Sequence, residues 1–205
     1  MFELILAQWQ AQDSFEIIAV VLAVAYLVLA IRQSIWCWPC AFVSTGIYVW
    51  LFFDVALFME SALNVFYLLM AIYGFYYWLK GREHAMPSRP VGVLALRWHA
   101  TAILVIAVLI GISGLLLARY TPQAYPYADS FTSWTAVWAT WLTARKVLEN
   151  WWYWLVINVV SVWLFLQKEL VLTALLFVIY IAMIPFGYLA WRRSFLRTDE
   201  QALPE

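Results

Sequence analysis

The chain has 205 residues, of which 66% are hydrophobic, 19% are aromatic and 12% are charged, with a formal net charge of zero. A soluble domain carries roughly 25% charged residues, and a soluble fold of this size could not bury so much apolar surface, so lipid must cover part of it. The absence of net charge excludes a basic field for a nucleic-acid partner, and two cysteines exclude a disulfide framework.

The first 14 residues contain no Lys or Arg and are partly polar, so residues 1–14 are an N-terminal segment without the features of a cleavable signal peptide. A membrane-spanning helix needs roughly 20 mostly apolar residues, and seven segments meet this requirement, the fifth least clearly because it is rich in Thr and Trp. The predicted helices are 15–31, 35–53, 56–79, 98–118, 131–145, 149–167 and 169–192.

Short turns join these helices, except between the third and the fourth. Residues 81–97 contain Pro87, Pro90, Gly92 and several charges, which predicts a solvent-exposed linker. His84 in this linker and His99 at the start of the fourth helix (98–118) are both expected to be solvated.

Two cysteines form a C-x-x-C sequence within the second helix. Cys37 and Cys40 could mark a redox site, but nothing around them resembles a soluble redox fold. We interpret them as small residues of a membrane helix.

The distribution of Lys and Arg predicts the orientation, because these residues collect in cytoplasmic loops. With seven spans, ten of them fall on the side of the C-terminus and only Arg119 and Lys168 fall on the other side. We therefore expect a cytoplasmic tail at 194–205 and an N-terminus outside. The ten residues are Arg32, Lys80, Arg82, Arg89, Arg97, Arg145, Lys146, Arg192, Arg193 and Arg197.

The chain matches itself without a gap when it is shifted by 113 positions, and the matches include rare residue types. The shift superimposes Arg32 on Arg145, Trp38 on Trp151, Tyr67 on Tyr180, Gly74 on Gly187 and Trp78 on Trp191. We interpret this as a duplication of residues 15–80 in residues 131–193, with the fourth helix as an unmatched linker. The chain crosses the membrane three times in the first unit and once in the fourth helix. The second unit therefore starts on the same side as the first, so the two units should run parallel.

The predicted fold is therefore an all-α polytopic membrane protein, with two parallel three-helix bundles joined by a linker helix in a 3+1+3 order. Transporters with parallel repeats bind substrate at the repeat interface, near the midplane of the membrane. The alternative is a duplicated scaffold without a pathway, as in some membrane receptors or enzymes.

The sixth helix has the strongest candidate site. Trp151, Trp154 and Asn158 are three and four residues apart and share one helical face, which Ser161 continues. Asn158 lies roughly 13 Å from the helix start at about 1.5 Å per residue, so its amide needs a protein or ligand partner that lipid does not offer. For the Trp residues the alternative is an interfacial belt; for Asn158 it is an interhelical hydrogen bond.

Other helices offer polar and aromatic partners for this face. Asn64 and Tyr67 lie on one face of the third helix, and the matched positions of the repeat add Tyr180 in the seventh helix and Tyr48 in the second. The side chains on this face are bulky and include an amide in the second half, whereas the matched side chains of the first half are smaller. Such unequal faces suit an asymmetric ligand.

The chemistry of these residues favours a ribosylated aromatic cation. Aromatic faces stack on flat rings and attract cations, and amides and hydroxyls bind sugar hydroxyls. A phosphorylated ligand would lack a partner, because we expect no Arg or Lys at depth. We also expect no intramembrane proton relay, and the chain has no phosphate-binding loop to use ATP. Facilitated movement is then the simplest mechanism.

The sequence Glu149-Asn150-Trp151-x-x-Trp154-x-x-x-Asn158, together with Leu63-Asn64-x-x-Tyr67, resembles the PnuC family of bacterial nicotinamide riboside transporters. The resemblance extends from residue 15 to residue 193. It implies a SWEET-like fold, a homotrimer in the bacterial inner membrane, and facilitated diffusion of unphosphorylated nicotinamide riboside, which a cytosolic kinase then traps. The binding positions that it implies are Trp151, Trp154, Asn158, Asn64 and Tyr67.

One position departs from the family pattern. Relatives often have Gln immediately before the Trp that ends the third helix, where this chain has Tyr77. A carrier of the same fold for thiamine or riboflavin is therefore the first alternative. We expect no cofactor and no enzymatic activity, because no metal-ligand cluster and no Ser, His and acid set is evident. A membrane-embedded enzyme and a small-molecule sensor are the remaining alternatives.

Overall fold

A computed structural model describes residues 14–54, 58–80, 90–168 and 171–202, and the described residues form seven helices. They correspond to the seven helices predicted from the sequence, which confirms an all-helical fold. The predicted N-terminal segment and residues 81–89 of the predicted linker lie almost entirely outside the described residues. The helices are α1 Ser14–Ile31, α2 Cys37–Asp54, α3 Phe58–Lys80, α4 Leu96–Tyr120, α5 Pro126–Ala144, α6 Asn150–Gln167 and α7 Val171–Ala202.

Two helices are longer than predicted. Helix α5 begins at Pro126 and not at residue 131, because proline at the first helical position has a suitable φ and needs no N–H partner. Helix α7 continues to Ala202, past the predicted end of the apolar span at 192. Polar residues that favour helices prolong it there, so the loss of apolar character marked the end of the span but not of the helix.

Two helices in the described part of the chain are both long and apolar enough to cross a membrane by themselves, over Leu96–Tyr120 and Thr173–Thr198. Two shorter apolar stretches lie at Ile17–Ile31 and Cys37–Leu51. Most of the surface of α4 is exposed, since its buried residues are His99 and Gly114. That surface is apolar enough to face lipid.

The helices pack mainly with their neighbours in the chain. Helix α2 packs against α1 and α3, helix α6 packs against α5 and α7, and α4 packs against α5. Two further contacts join elements that are distant in the chain, α3 with α5 and α1 with α7. If α1, α2 and α3 are paired with α5, α6 and α7, these two long-range contacts are equivalent.

The turn between α1 and α2 has the same geometry as the turn between α5 and α6. Gln33 and Lys146 both have a left-handed backbone, with φ of 54° at each. Five backbone hydrogen bonds of the first turn recur in the second, with every residue number raised by 113. They are Arg32 N to Val28 O, Gln33 N to Ala30 O, Ser34 N to Leu29 O, Cys37 N to Ser34 O and Trp38 N to Ile35 O, which recur as Arg145 to Trp141, Lys146 to Thr143, Val147 to Leu142, Asn150 to Val147 and Trp151 to Leu148.

Four buried tryptophans form the centre of the core. The rings of Trp38 and Trp78 meet edge to face at 5.4 Å between centroids, and those of Trp151 and Trp191 meet edge to face at 5.5 Å. Trp78 and Trp191 contact each other at 6.2 Å. Because each of the four is at most 2% exposed, this tryptophan cluster joins α2, α3, α6 and α7 into one core.

Two indole hydrogen bonds cross between distant parts of the chain. Trp78 Nε1 donates to the carbonyl of Ala144 at the end of α5, and Trp191 Nε1 donates to the carbonyl of Ala30 near the end of α1, both at 2.9 Å. Each bond joins the last helix of one predicted repeat to the first helix of the other. These bonds therefore coincide with the contacts of α3 with α5 and of α7 with α1.

Candidate substrate-binding site

Helices α3, α5 and α6 bring two of the predicted site residues together. Tyr67 of α3 and Trp154 of α6 are both partly buried and pack on the same small apolar cluster. That cluster consists of Ala136 and Ala139 on α5 and Ile157 on α6. The small side chains of the two alanines allow both aromatic rings to pack closely against α5.

A buried hydrogen-bond network holds the Trp154 ring. Trp154 Nε1 donates to Thr143 Oγ1 at 3.1 Å. The hydroxyl of Thr143 lies 3.3 Å from Asn150 Oδ1, and Asn150 Nδ2 donates to the carbonyl of Val147 at 2.6 Å. Thr143 and Asn150 are at most 4% exposed, so the network is shielded from solvent.

Asn158 and Ser161 lie deeper along α6, and both side chains are buried. No hydrogen bond joins the carboxamide of Asn158 or the hydroxyl of Ser161 to another described residue, and neither is among the fully enclosed polar atoms that lack a partner. Burial of an unpaired polar group is unfavourable. Both groups are therefore suited to bind the polar part of a ligand.

Tyr180 of α7 lies among tyrosines of the first half. Tyr26 of α1 and Tyr48 of α2 are both within electrostatic range of its hydroxyl, and its ring meets Phe177 at 5.6 Å. Asn64 is partly buried on α3. The predicted residues thus form two groups, one around Trp154 and Tyr67 and the other around Tyr180 and Tyr48.

At several pairs of positions 113 residues apart, one half has a large side chain where the other half has a small one. Tyr26 corresponds to Ala139, and Ala41 corresponds to Trp154. Thr45, which corresponds to Asn158, satisfies its hydroxyl within its own helix by donating to Ala41 O at 2.7 Å. The two groups therefore differ in side-chain size and in available hydrogen bonds.

The predicted site residue Trp151 occupies a different position from Trp154. Its ring belongs to the tryptophan cluster, where it packs against Trp191 and against the backbone of Gly187. Its Nε1 is buried and has no hydrogen-bond partner among the described residues. A direct contact of Trp151 with a ligand stays a prediction, whereas its packing role is visible.

Lys146 is a feature that the sequence analysis missed, because it was counted as an exposed loop cation. The side chain is fully buried. Its Nζ lies 4.4 Å from the centroid of the Trp78 ring and donates to Gln33 Oε1 at 3.3 Å. The signal was present in the repeat, since Lys146 and Gln33 occupy equivalent positions.

The expectation of a solvated His99 is wrong. Its ring is buried and stacks on Tyr153, with Nδ1 2.9 Å from the tyrosine hydroxyl. Its Nε2 lies 4.0 Å from Glu149 Oε1, which also accepts a hydrogen bond from the N–H of Leu94. Packing of the linker and α4 on the start of α6 buries this group, and sequence reasoning on single helices could not predict that packing. His84 lies outside the described residues.

A cavity of about 250 Å³ lies where the linker meets the turn between α5 and α6. The Arg145 guanidinium lies over the rings of Tyr77 and Trp141, at 4.9 and 5.4 Å from their centroids. Gly92 pairs with the turn through hydrogen bonds to the backbone on both sides of Val147. Tyr77 therefore forms part of a cavity wall.

Seven described helices, of which two are long and apolar enough to cross a membrane, define the class of helical membrane proteins. A family model described as nicotinamide mononucleotide transporter matches residues 13–193. The chain belongs to this family, which confirms the resemblance to PnuC proteins. Membership makes it a transporter and not an enzyme.

Similar proteins include transporters of two vitamins. The chain is 26% identical over 187 residues to the riboflavin/roseoflavin transporter RibM of Streptomyces davaonensis, covering 90% of this chain and 85% of that protein. It is 25% identical over 178 residues to the nicotinamide riboside transporter PnuC of Escherichia coli, covering 75% of this chain and 74% of that protein. The crystal structure of the vitamin B3 transporter PnuC has the same fold, with a TM-score of 0.71 and 20% identity over 95% of this chain and 87% of that one.

Proposed function

We propose that this protein carries nicotinamide riboside across the bacterial inner membrane by facilitated diffusion. The observation that supports this most directly is the combination of Trp154 and Tyr67 with the buried, unpaired carboxamide of Asn158. A flat pyridinium ring stacks on aromatic faces and is attracted to them as a cation. Amide and hydroxyl groups bind the ribose hydroxyls.

In this proposal the two groups of residues form opposite walls of one site. Trp154 and Tyr67 bind the nicotinamide ring, and Asn158 and Ser161 bind the ribose. The other wall consists of Tyr48 and Asn64 of the first half together with Tyr180 of α7.

We further propose that α1–α3 and α5–α7 are two parallel three-helix bundles joined by α4, with the ligand path at their interface. Three observations support this arrangement. The bundles pack internally in the same order, their first turns share five hydrogen bonds, and two equivalent indole bonds cross between them. The excess of Lys and Arg on one side favours a cytoplasmic C-terminus and an external N-terminus.

The remaining parts of the proposal come from the family resemblance. The protein forms a homotrimer, and the exposed apolar surface of α4 is available for contacts between subunits. Net uptake requires a cytosolic kinase that phosphorylates the riboside and so prevents its return.

Riboflavin is the second candidate substrate. The relative named as a riboflavin and roseoflavin transporter covers a larger share of this chain than the nicotinamide riboside transporter does. Tyr77 adds an aromatic ring to the wall of the cavity near the linker. An isoalloxazine ring could stack on the same aromatic faces, but it would not use their attraction for a cation.

Uptake into liposomes that contain the purified protein distinguishes these candidates. We expect saturable entry of labelled nicotinamide riboside without ATP and at the same rate with or without a pH gradient. Unlabelled riboside should compete, and the mononucleotide should not. Entry of riboflavin or thiamine without entry of the riboside would refute the proposed substrate, and a requirement for a pH gradient would refute facilitated diffusion.

A further inference from the structure

The Trp154 ring is held by a network that has no equivalent in the first half of the chain. The members of the network are Thr143, Asn150 and Trp154. The positions 113 residues earlier hold Ala30, Cys37 and Ala41. All three lack the group that makes the corresponding hydrogen bond, so the network belongs to one half only.

Thr143 can serve the indole because a hydroxyl both accepts and donates. Its oxygen accepts the Trp154 Nε1–H at 3.1 Å, and its single proton goes to Ala139 O at 2.9 Å or to Asn150 Oδ1 at 3.3 Å. Asn150 is itself oriented by its bond to the Val147 carbonyl. Rotation of the indole would leave a buried N–H without a partner, which is unfavourable in an apolar surrounding.

We propose that Thr143 is a positioning residue, which orients the Trp154 ring for stacking on the ligand and acts through the indole N–H. The ligand part of this inference rests on the proposed function. Thr143 itself need not touch the ligand, because its hydroxyl is used by Trp154 and by its own helix. Asn150 supports the same geometry from the start of α6.

The first test is ligand affinity in a double-mutant cycle. Thr143→Val should weaken nicotinamide riboside binding about fivefold, which corresponds to the ~1 kcal/mol net value of one hydrogen bond. Thr143→Ser should restore it. In a Trp154→Phe background, which lacks Nε1–H, Thr143→Val should have no further effect. An equal loss in both backgrounds would overturn the proposal.

A matched control is available one turn away. Thr140 is also buried on α5 and donates to the carbonyl four residues earlier, at 2.7 Å. Thr140→Val removes the same kind of hydroxyl but no hydrogen bond of Trp154, so it should leave the affinity unchanged. If Thr143→Val does not fold, Thr143→Ala removes the same acceptor.

The second test needs no ligand. In protein with ¹⁵N-labelled indoles, the resonance that disappears in Trp154→Phe is assigned to Trp154. Thr143→Val should shift the ¹H frequency of this resonance upfield, as a weaker hydrogen bond does, whereas Thr140→Val should not. An unchanged resonance would refute the hydrogen bond. If the resonance shifts but the wild-type protein binds no vitamin, the proposed function fails and the role of Thr143 in orienting the ring stands.

Discussion

Three tryptophans that lie within four residues of each other on α6 have three different environments. Trp151 is buried in the tryptophan cluster, Trp152 is 52% exposed and contacts Tyr188, and Trp154 is partly buried with a hydrogen-bonded ring. Helical spacing predicted that Trp151 and Trp154 share a face. It could not predict which neighbour each meets, because that depends on the small residues of other helices, such as Ala139 and Gly187.

Replacing Trp154 tests the stacking surface. Trp154→Ala should weaken nicotinamide riboside binding by at least about tenfold, since it removes an aromatic face. Trp152→Ala is the control, because this exposed ring lies on another face of the same helix. Isothermal titration calorimetry measures both, and equal affinities for the two variants would contradict the assignment.

The Asn158 carboxamide should strengthen ligand binding but lower the stability of the protein without ligand. Asn158→Leu removes a buried amide that lacks a described partner, so the melting temperature in detergent should be unchanged or higher. Ligand affinity should fall about tenfold or more. Asn150→Leu is the control, since Asn150 is equally buried but hydrogen-bonded and its loss should lower the melting temperature. A destabilised Asn158→Leu with normal affinity would support a purely structural role.

At the scale of the elements, hydrophobic length predicted all seven helices, but tertiary contacts decided their details. The linker residues pair with the turn between α5 and α6 through Gly92, and His99 at the start of α4 is buried against Tyr153 of α6. Neither contact has a local sequence signal. The equivalent turns, by contrast, could be anticipated from the match of Arg32 with Arg145.

Two glycines allow the helices of each half to approach. A Cβ atom on Gly74 would collide with the Trp38 ring, and one on Gly187 would collide with the Trp151 ring. Gly74→Ala and Gly187→Ala should each destabilise the protein by about 1–3 kcal/mol, as overpacking does. Gly111→Ala is the control, because nothing lies within 4 Å of that position and alanine favours the helix. Melting temperatures measure all three, and an unaffected Gly187→Ala would contradict the packing.

At the scale of the whole molecule, the sequence predicted a repeat, but it did not indicate the contacts between the first three and the last three helices. The match of Trp78 with Trp191 indicates the duplication but not the partners of these two rings. Their indole bonds to Ala144 and Ala30 join α3 to α5 and α7 to α1. A carbonyl acceptor can belong to any residue type, so no sequence pattern indicates it.

The contribution of each of these two indole hydrogen bonds to stability can be measured separately. Trp78→Phe and Trp191→Phe keep an aromatic ring but remove the N–H, so each should lower the free energy of unfolding by about 1 kcal/mol or more. Trp38→Phe is the control, because its indole N–H has no hydrogen-bond partner among the described residues. Denaturation in detergent compares the three, and an equal loss in Trp38→Phe would show that ring volume and not hydrogen bonding determines the effect.

The contact between Gln33 and Lys146 limits how alike the two halves can become. These residues occupy equivalent positions, and Lys146 Nζ lies 3.3 Å from Gln33 Oε1. An assembly of two identical second halves would bring two ammonium groups together in a buried place, where like charges are strongly unfavourable. Two halves of different sequence can place a neutral amide opposite the lysine, which is a junction that a symmetric dimer of the second half could not form.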